Sequence, residues 1–261
     1  MSTHATAQCE TETNLRTRIR THERHTVGTR LETLVDECLQ LTGSESLLDI
    51  GTGIGDFPGR LRSSGHTGRL IGLDISAGMV AKAQAVHHDV EFIQGDARAL
   101  PFADHSFDVA PARHMLYHVP DIKAALCEVC RVLTPGGQFM ALTNADGYLR
   151  EFWDAARRTL RGDPAFTALF TEYSQPKYFH DDLARHMRTV FNDVRVSIVD
   201  QWLEFADPIP ILEYWDSLRE GTGVASADWI RGRDAFQADL ETRFKSSPWR
   251  IWKGVAFITA S

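Results

Sequence analysis

The segment "LLDIGTGIG" (residues 47–55) joins an apolar run to three glycines that fall within five residues. Glycine adopts backbone conformations that other residues avoid, and it has no side chain, so its backbone can lie directly against a ligand. The short, continuous apolar run before it is typical of a buried strand. The sequence therefore predicts a strand that ends in a ligand-binding loop.

Apolar strands and amphipathic helices alternate on the C-terminal side of this loop. Strands are expected at 46–51, 69–75, 90–96, 107–115 and 138–144, with helices at 56–63, 77–87 and 121–133 between them. A later helix (181–191) and strands at 194–205 and 254–260 continue the pattern. Such alternation predicts an α/β fold with a mainly parallel sheet covered on both faces.

The remaining segments suggest a domain organisation around this core. Residues 1–45 are expected to form a polar tail, to about residue 15, and a helix over 16–41. Residues 46–145 form the ligand-binding core, and 181–261 complete it. Two aromatic-rich helical insertions, 146–180 and about 208–246, occupy positions expected of a substrate cap.

Composition narrows the class of partner. The chain has 261 residues, 43% of them hydrophobic and 24% charged, and a net charge of −7. This balance argues against nucleic acid or an anionic membrane as the main partner and favours a small-molecule substrate. We found no apolar run near the ~20 residues needed to cross a bilayer. A cytoplasmic monomer or homodimer is expected.

Two residue clusters resemble metal or redox sites but are interpreted otherwise. Cys127 and Cys130 form a C-x-x-C inside a helical stretch that has no second ligand pair, so they are interpreted as small residues on a helix side. His87, His88 and Asp89 fall at a helix end remote from the expected site. No metal site is expected.

An acidic residue ends the second strand. Asp74, about 20 residues after the loop, can accept hydrogen bonds from both ribose hydroxyls, which indicates a nucleoside-containing ligand. The alternative is a tight turn with a solvated aspartate. The loop reads G-x-G-x-G rather than the dinucleotide G-x-G-x-x-G, and Asp49 and Asp56 flank it. Carboxylates repel a pyrophosphate but attract an ammonium and a sulfonium, which favours S-adenosylmethionine over NAD.

Five stretches in this order resemble the class I S-adenosylmethionine-dependent methyltransferases, in particular the small-molecule group related to the ubiquinone and menaquinone enzymes. They are "LLDIGTGIG", "GLDIS" followed by "GM", "GDARALPFADHSFDV", "ARHMLYHVPDIKAAL" and "EVCRVLTPGG", and they span about 46–145. Pro111 departs from the pattern, because a proline in a central strand removes a ladder hydrogen bond. A bulge or early strand end at Pro111 would re-aim Arg113 and His114.

The resemblance implies a doubly wound, mixed seven-stranded sheet of order 3-2-1-4-5-7-6 with an antiparallel last strand, and S-adenosylmethionine as cofactor. It also implies roles: a carboxylate near the methionine ammonium (Asp49), glycines along the ligand, a ribose ligand (Asp74), and adenine contacts. The full implied cofactor-binding set is Asp49, Gly51, Thr52, Gly53, Gly55, Asp74, Ile75, Met79, Asp96, Ala97, Arg113 and His114.

Methyl transfer is an in-line displacement at an already activated carbon, so alignment of the acceptor and removal of a proton are what the protein must supply. Candidates for catalysis are His118, Asn144 and Tyr178. Candidate acceptor contacts are Tyr117, Tyr173, His180, Trp153 and Tyr214. For the aromatic residues, packing in the core is the competing interpretation, and for His118 it is a role in fixing the loop.

The sequence therefore predicts methyl transfer to a small-molecule acceptor, in secondary metabolism because the helical insertions are aromatic and unusual. An alternative is an enzyme of the same fold that cyclises S-adenosylmethionine itself and releases methylthioadenosine. A third reading is a non-catalytic subunit that binds the cofactor.

Overall fold

The computed structural model describes residues 12–174, 180–220, 222–245 and 247–261. Its helices are α1 Glu12–His25, α2 Leu31–Leu39, α3 Asp56–Ser63, α4 Ala77–Val86, α5 Ile122–Val132, α6 Arg150–Thr159, α7 Thr167–Ser174, α8 His180–Met187, α9 Ile209–Ser217 and α10 Ser226–Arg243. Its strands are β1 Thr26–Val27, β2 Leu47–Ile50, β3 Leu70–Asp74, β4 Glu91–Gln94, β5 Phe107–Arg113, β6 Leu133–Asn144, β7 Val194–Val199, β8 Trp202–Phe205, β9 Trp249–Trp252 and β10 Val255–Ala260.

These elements belong to two compact units. The sheet unit contains Leu31–Ala145, the described part of 178–199, and Val255–Ser261. The helical unit contains the described parts of 1–30, 146–177 and 200–254. Among the helices that the structure describes, none combines the length and apolar character needed to cross a bilayer.

The sheet unit is built on seven strands in the order β4-β3-β2-β5-β6-β10-β7. Numbered within this sheet alone, the order is 3-2-1-4-5-7-6, as predicted. The strands from β4 to β6 pair in parallel, and β10 pairs antiparallel with both β6 and β7. The carboxyl ends of β2, β3 and β5 therefore meet at one edge, where the glycine loop lies.

The sheet is buried on both faces. Leu47, Leu48 and Ile50 of β2 have no exposed surface. Leu48 and Ile50 belong to one apolar cluster with Leu126 and Val129 of α5, and Leu47 belongs to the other with Phe57 of α3. Burial on both faces explains why the strands are continuous apolar runs instead of alternating ones.

The expected disruption at Pro111 is wrong. Strand β5 runs through this residue, and Ala110, Pro111 and Ala112 keep successive partners in β6. The register shifts between Phe107 and Val109 instead. Proline lacks only the N–H donor, while its φ is compatible with an extended strand, so the neighbouring residues hold the register.

The N-terminal helix expected over 16–41 is also wrong. Helix α1 begins at Glu12, within the expected tail, and ends at His25; α2 begins only at Leu31. Between them lie β1 and Gly28, whose φ is +121°. The β-branched pair Thr26–Val27 followed by glycine favours an extended break, which the apolar spacing of the flanking helices concealed.

The single strand expected over 194–205 is two strands in two sheets. β7 ends at Val199, and β8 pairs with β1 and β9 in a three-stranded antiparallel sheet that the sequence did not predict. The helical unit has its own aromatic core, in which the rings of Trp215 and Trp229 stack with centroids 4.7 Å apart. The expected helices of 208–246 are present as α9 and α10.

Candidate functional site

The glycine loop has a left-handed backbone at three positions. The φ angles of Gly51, Gly53 and Gly55 are +70°, +59° and +81°. A Cβ at Gly51 would lie 2.6 Å from the Met115 side chain, and one at Gly55 would lie 2.5 Å from the Phe92 ring. At Gly53 no described atom lies within 4 Å of that position. Two of the glycines thus serve packing, and Gly53 presents open backbone.

Asp74 fastens this loop to the end of β3. Its Oδ2 accepts a 2.9 Å hydrogen bond from the amide of Gly53, and its Oδ1 accepts one of 2.9 Å from the amide of Ser76. Each oxygen of an ionised carboxylate accepts about two hydrogen bonds. The half-buried Asp74 therefore retains acceptor capacity beside the open backbone of Gly53.

An apolar surface follows Asp74 directly. The side chain of Ile75 is 66% exposed, and Met79, in the first turn of α4, is half-buried. The Ser76 hydroxyl caps this helix by accepting from the amide of Met79. An isolated exposed isoleucine needs no explanation, but here it adjoins a carboxylate with spare acceptor positions.

Asp96 lies after β4 and is held by Arg98, a residue that the sequence analysis missed. The Arg98 amide, Nε and Nη2 donate to the two Asp96 carboxylate oxygens at 2.6–3.1 Å. These hydrogen bonds lower the pKa of the Asp96 carboxyl group. In the sequence, the D-x-R spacing of these two residues is the feature that could have suggested their pairing. Ala97, between them, is buried.

Asp49 is buried and paired. Its Oδ2 accepts a 2.7 Å hydrogen bond from the Thr52 hydroxyl and a 3.2 Å bond from Nη2 of Arg113. The guanidinium of Arg113 also lies 4.4 Å from the centroid of the Phe57 ring. The structure thus brings Asp49, Thr52 and Arg113 together below the glycine loop.

The segment after β5 turns sharply. His114 has a φ of +51° and donates its amide to the Leu142 carbonyl at 2.8 Å. A short 3₁₀ helix, Leu116–His118, follows, and the rings of Tyr117 and His118 lie 4.5 Å apart. Although much of the His118 side chain is exposed, desolvation by the surrounding protein lowers its pKa.

The other candidates of the sheet unit come from different elements of the chain. Asn144 ends β6 opposite Val255 of β10 and is half-buried. His180 begins α8 and is buried, with Nε2 3.5 Å from Oδ1 of Asp181. Tyr178, and the side chain of Tyr173, lie outside the described residues.

Trp153 and Tyr214 belong to the core of the helical unit. They are 7% and 9% exposed, and the ring of Phe152 packs edge-on against both, with centroids 5.0 and 5.5 Å away. His22 lies in the same unit, with Nε2 2.9 Å from the Tyr148 hydroxyl. This packing favours a structural role for the two aromatic rings.

The residues at the sheet edge fit an adenosyl ligand. Open backbone at Gly53 allows close approach, Asp74 can accept from hydroxyls, and Ile75 offers an apolar surface to a base. Asp49 is not an isolated negative charge in this site, because Arg113 pairs with it.

Comparison with known proteins finds a similar domain in one part of the chain. Residues 48–141 match the model of the methyltransferase domain. Demethylmenaquinone methyltransferase of Lactococcus lactis subsp. lactis (strain IL1403) is 42% identical over 108 residues, which are 39% of this chain and 42% of that protein. The chain thus spans less than half the length of the curated relatives it matches.

Two solved structures share the fold over most of the chain. One, from Anabaena variabilis ATCC 29413, is named as a methyltransferase from an antibiotic biosynthesis pathway; it has a TM-score of 0.64 and 19% identity and covers 89% of this chain and 96% of its own. The other is the [4+2]-cyclase SpnF, with a TM-score of 0.52 and 22% identity over 89% of this chain and 80% of its own. Residues 48–141 are thus similar to the methyltransferase domain, the two solved structures show that the chain shares their fold, and S-adenosylmethionine is the cofactor that the similarity implies.

Proposed function

We propose that this chain transfers the methyl group of S-adenosylmethionine to a small-molecule acceptor. The observation that carries the proposal is the Asp74 carboxylate, which is bonded to the Gly53 amide and retains acceptor positions beside open backbone. The family match over residues 48–141 supports the same reaction.

The residues at the sheet edge would hold the cofactor. Asp74 would accept from the ribose hydroxyls, and Ile75 and Met79 would cover the adenine. Asp96 would accept from the adenine amino group while still paired with Arg98, whose guanidinium occupies part of its acceptor capacity. The bound cofactor supplies a methyl group on a sulfonium, which is already activated towards displacement. The protein then needs to align the acceptor and exclude water.

His118 is the proposed base. It lies in the short helix that follows β5, the central strand whose carboxyl end lies beside the glycine loop. Because its pKa is lowered, the ring is neutral at neutral pH and can accept a proton from an acceptor hydroxyl or acidic carbon. Asn144 is proposed to orient the acceptor, with contacts from Tyr117 and His180.

The acceptor is proposed to be an apolar small molecule of secondary metabolism. Two names support this: the Lactococcus relative acts on demethylmenaquinone, and the Anabaena chain is placed in an antibiotic pathway. SpnF, a [4+2]-cyclase, has the same fold, so the fold alone does not fix the reaction.

Product analysis tests the proposal. The protein is incubated with S-adenosylmethionine, alone and with reduced naphthoquinones, phenols and carboxylic acids, and the products are followed by mass spectrometry. We expect S-adenosylhomocysteine only when an acceptor is present. Methylthioadenosine without any acceptor would instead identify the cyclising alternative. Binding with neither product across the panel would contradict the proposed transfer and favour a binding subunit.

A further inference from the structure

Asp49 and Arg113 form a charge pair of unequal exposure. The Asp49 side chain is 1% exposed, whereas that of Arg113 is 26% exposed. An unpaired carboxylate at this depth would be strongly destabilised, so Arg113 neutralises it. The charge that this pair presents towards solvent is therefore the guanidinium and not the carboxylate.

The oxygens of Asp49 are already committed. Oδ2 accepts from the Thr52 hydroxyl at 2.7 Å and from Nη2 of Arg113 at 3.2 Å, while Oδ1 faces Nε of Arg113 at 3.4 Å. An ammonium group could reach them only by displacing these donors from a buried position. The carboxylate is thus better placed to orient Arg113 than to bind a cation.

Arg113 is fixed on two sides and still has donors to offer. Asp49 holds its Nε and Nη2, and the Phe57 ring, in the first turn of α3, lies 4.4 Å from its guanidinium carbon. A guanidinium has five N–H donors. Among the described residues its only side-chain hydrogen-bond partner is Asp49. Its remaining donors suit a carboxylate, which guanidinium binds with matching geometry.

We infer that Arg113 binds the carboxylate of the cofactor's methionine portion, and that Asp49 is a positioning residue for Arg113 and makes no direct bond to the methionine ammonium. This inference rests on the proposed function, since it requires that the sheet edge binds S-adenosylmethionine. In this arrangement the Asp49–Arg113 pair recognises an anion, the methionine carboxylate, and does not attract a cation.

Ligands that differ by one group test the inference. S-adenosylhomocysteine and its decarboxylated analogue, which lacks only the carboxylate, are titrated by calorimetry into the wild type and Arg113→Gln. In the wild type, the loss of the carboxylate should weaken binding about 10-fold to 100-fold, the range of a charge-assisted hydrogen bond. In Arg113→Gln the two ligands should bind with similar affinity. An unchanged ratio in the variant, or no preference in the wild type, overturns the inference.

The ratio of the two ligand affinities distinguishes a lost contact from a general structural effect. Arg113→Gln leaves Asp49 unpaired and can lower stability, but a loosened site weakens both ligands alike and leaves their ratio unchanged. Arg113→Lys, which keeps the positive charge, should restore part of the preference. Arg195→Gln, at an exposed arginine of β7, is the matched control and should keep the wild-type ratio.

A des-amino analogue of S-adenosylhomocysteine tests the role of Asp49. Loss of the ammonium should weaken binding by the same factor in the wild type and in Asp49→Asn, because Asp49 makes no direct bond to it. A factor that collapses towards one in Asp49→Asn would show that Asp49 binds the ammonium and would overturn the inference. If the wild type does not bind S-adenosylhomocysteine at all, it is the proposed function that fails.

Discussion

At the scale of single residues, Gly53 and Gly55 differ in what surrounds them. Both have positive φ, yet a Cβ at Gly53 meets no described atom within 4 Å, while one at Gly55 meets the Phe92 ring at 2.5 Å. Gly53 is therefore free to face a ligand, whereas Gly55 is required by the packing of the loop against β4.

Alanine at each position should separate these roles. Gly53→Ala should lower the free energy of unfolding by about 1–2 kcal/mol, from the left-handed backbone alone, and weaken S-adenosylhomocysteine binding more than about 10-fold by blocking backbone approach. Gly55→Ala adds overpacking and should cost about 2–5 kcal/mol. Urea unfolding and calorimetry measure both effects. Unchanged ligand affinity in Gly53→Ala would remove Gly53 from the site.

The lowered pKa of His118 predicts how activity depends on pH. Desolvation lowers its pKa, so the ring stays neutral above its ordinary value of about 6.5 and becomes protonated only as the pH falls below it. The acid limb of the kcat/KM profile should therefore lie below about pH 6.5. His118→Gln should abolish that limb and lower kcat about 10²-fold to 10⁴-fold. His88→Gln, at an exposed histidine, is the control. Survival of the limb in His118→Gln would exclude this base.

At the scale of elements, α5 holds the loop that follows Asp96. Arg131 donates to the carbonyls of Leu100 and Phe102 at 3.0 and 2.7 Å and to Asp104 at 2.8 Å. Glu128 accepts from the Leu100 amide at 2.7 Å, and its pairing with Arg131 lowers the pKa of its carboxyl group. The helix therefore positions the loop that carries the proposed adenine contacts, Asp96 and Ala97.

Removing this anchor should loosen the loop. Arg131→Ala is expected to lower the free energy of unfolding by about 1–3 kcal/mol, since it leaves two carbonyls without their donor and Glu128 with the Leu100 amide alone. Hydrogen exchange should accelerate at residues 97–104 before it does so in β5. The exposed Arg195→Ala, whose partner Asp193 is two residues away, should change neither quantity. Equal protection of 97–104 in both variants would refute the anchoring role.

The elements also show what the sequence could and could not predict. Continuous apolar runs such as β2 predict buried strands, and the glycines and Asp74 predict the loops that follow them. The order of the strands in the sheet was predicted from the family resemblance. The break at Gly28 lies between two helices, α1 and α2, whose apolar residues have the same helical spacing. The sequence pattern therefore predicted one continuous helix. The Asp49–Arg113 pair joins residues 64 apart, and no local pattern reports which charges meet across strands. The Asp96–Arg98 contact is local, but the D-x-R spacing alone does not indicate which partner an exposed arginine takes.

At the scale of the whole molecule, the sheet unit contains every residue proposed to bind the cofactor. Its seven strands bring the ends of β2, β3 and β5 to one edge, and the loop, Asp74 and Arg113 come from these three ends. The helical unit has a separate aromatic core around Trp215 and Trp229. Cofactor affinity should therefore depend on residues of the sheet unit. Substitution of Asp74, whose carboxylate binds the glycine loop, tests this most directly.

Calorimetric titration of the full chain with S-adenosylhomocysteine tests this account most directly. The wild type should bind at one site, and Asp74→Ala should bind at least about 10-fold more weakly, because it loses hydrogen bonds from a charged group to the ribose and to the Gly53 amide. Glu91→Ala, at the opposite end of the neighbouring strand β4, should bind like the wild type. Wild-type affinity in Asp74→Ala, or no binding by the wild type, would contradict the account.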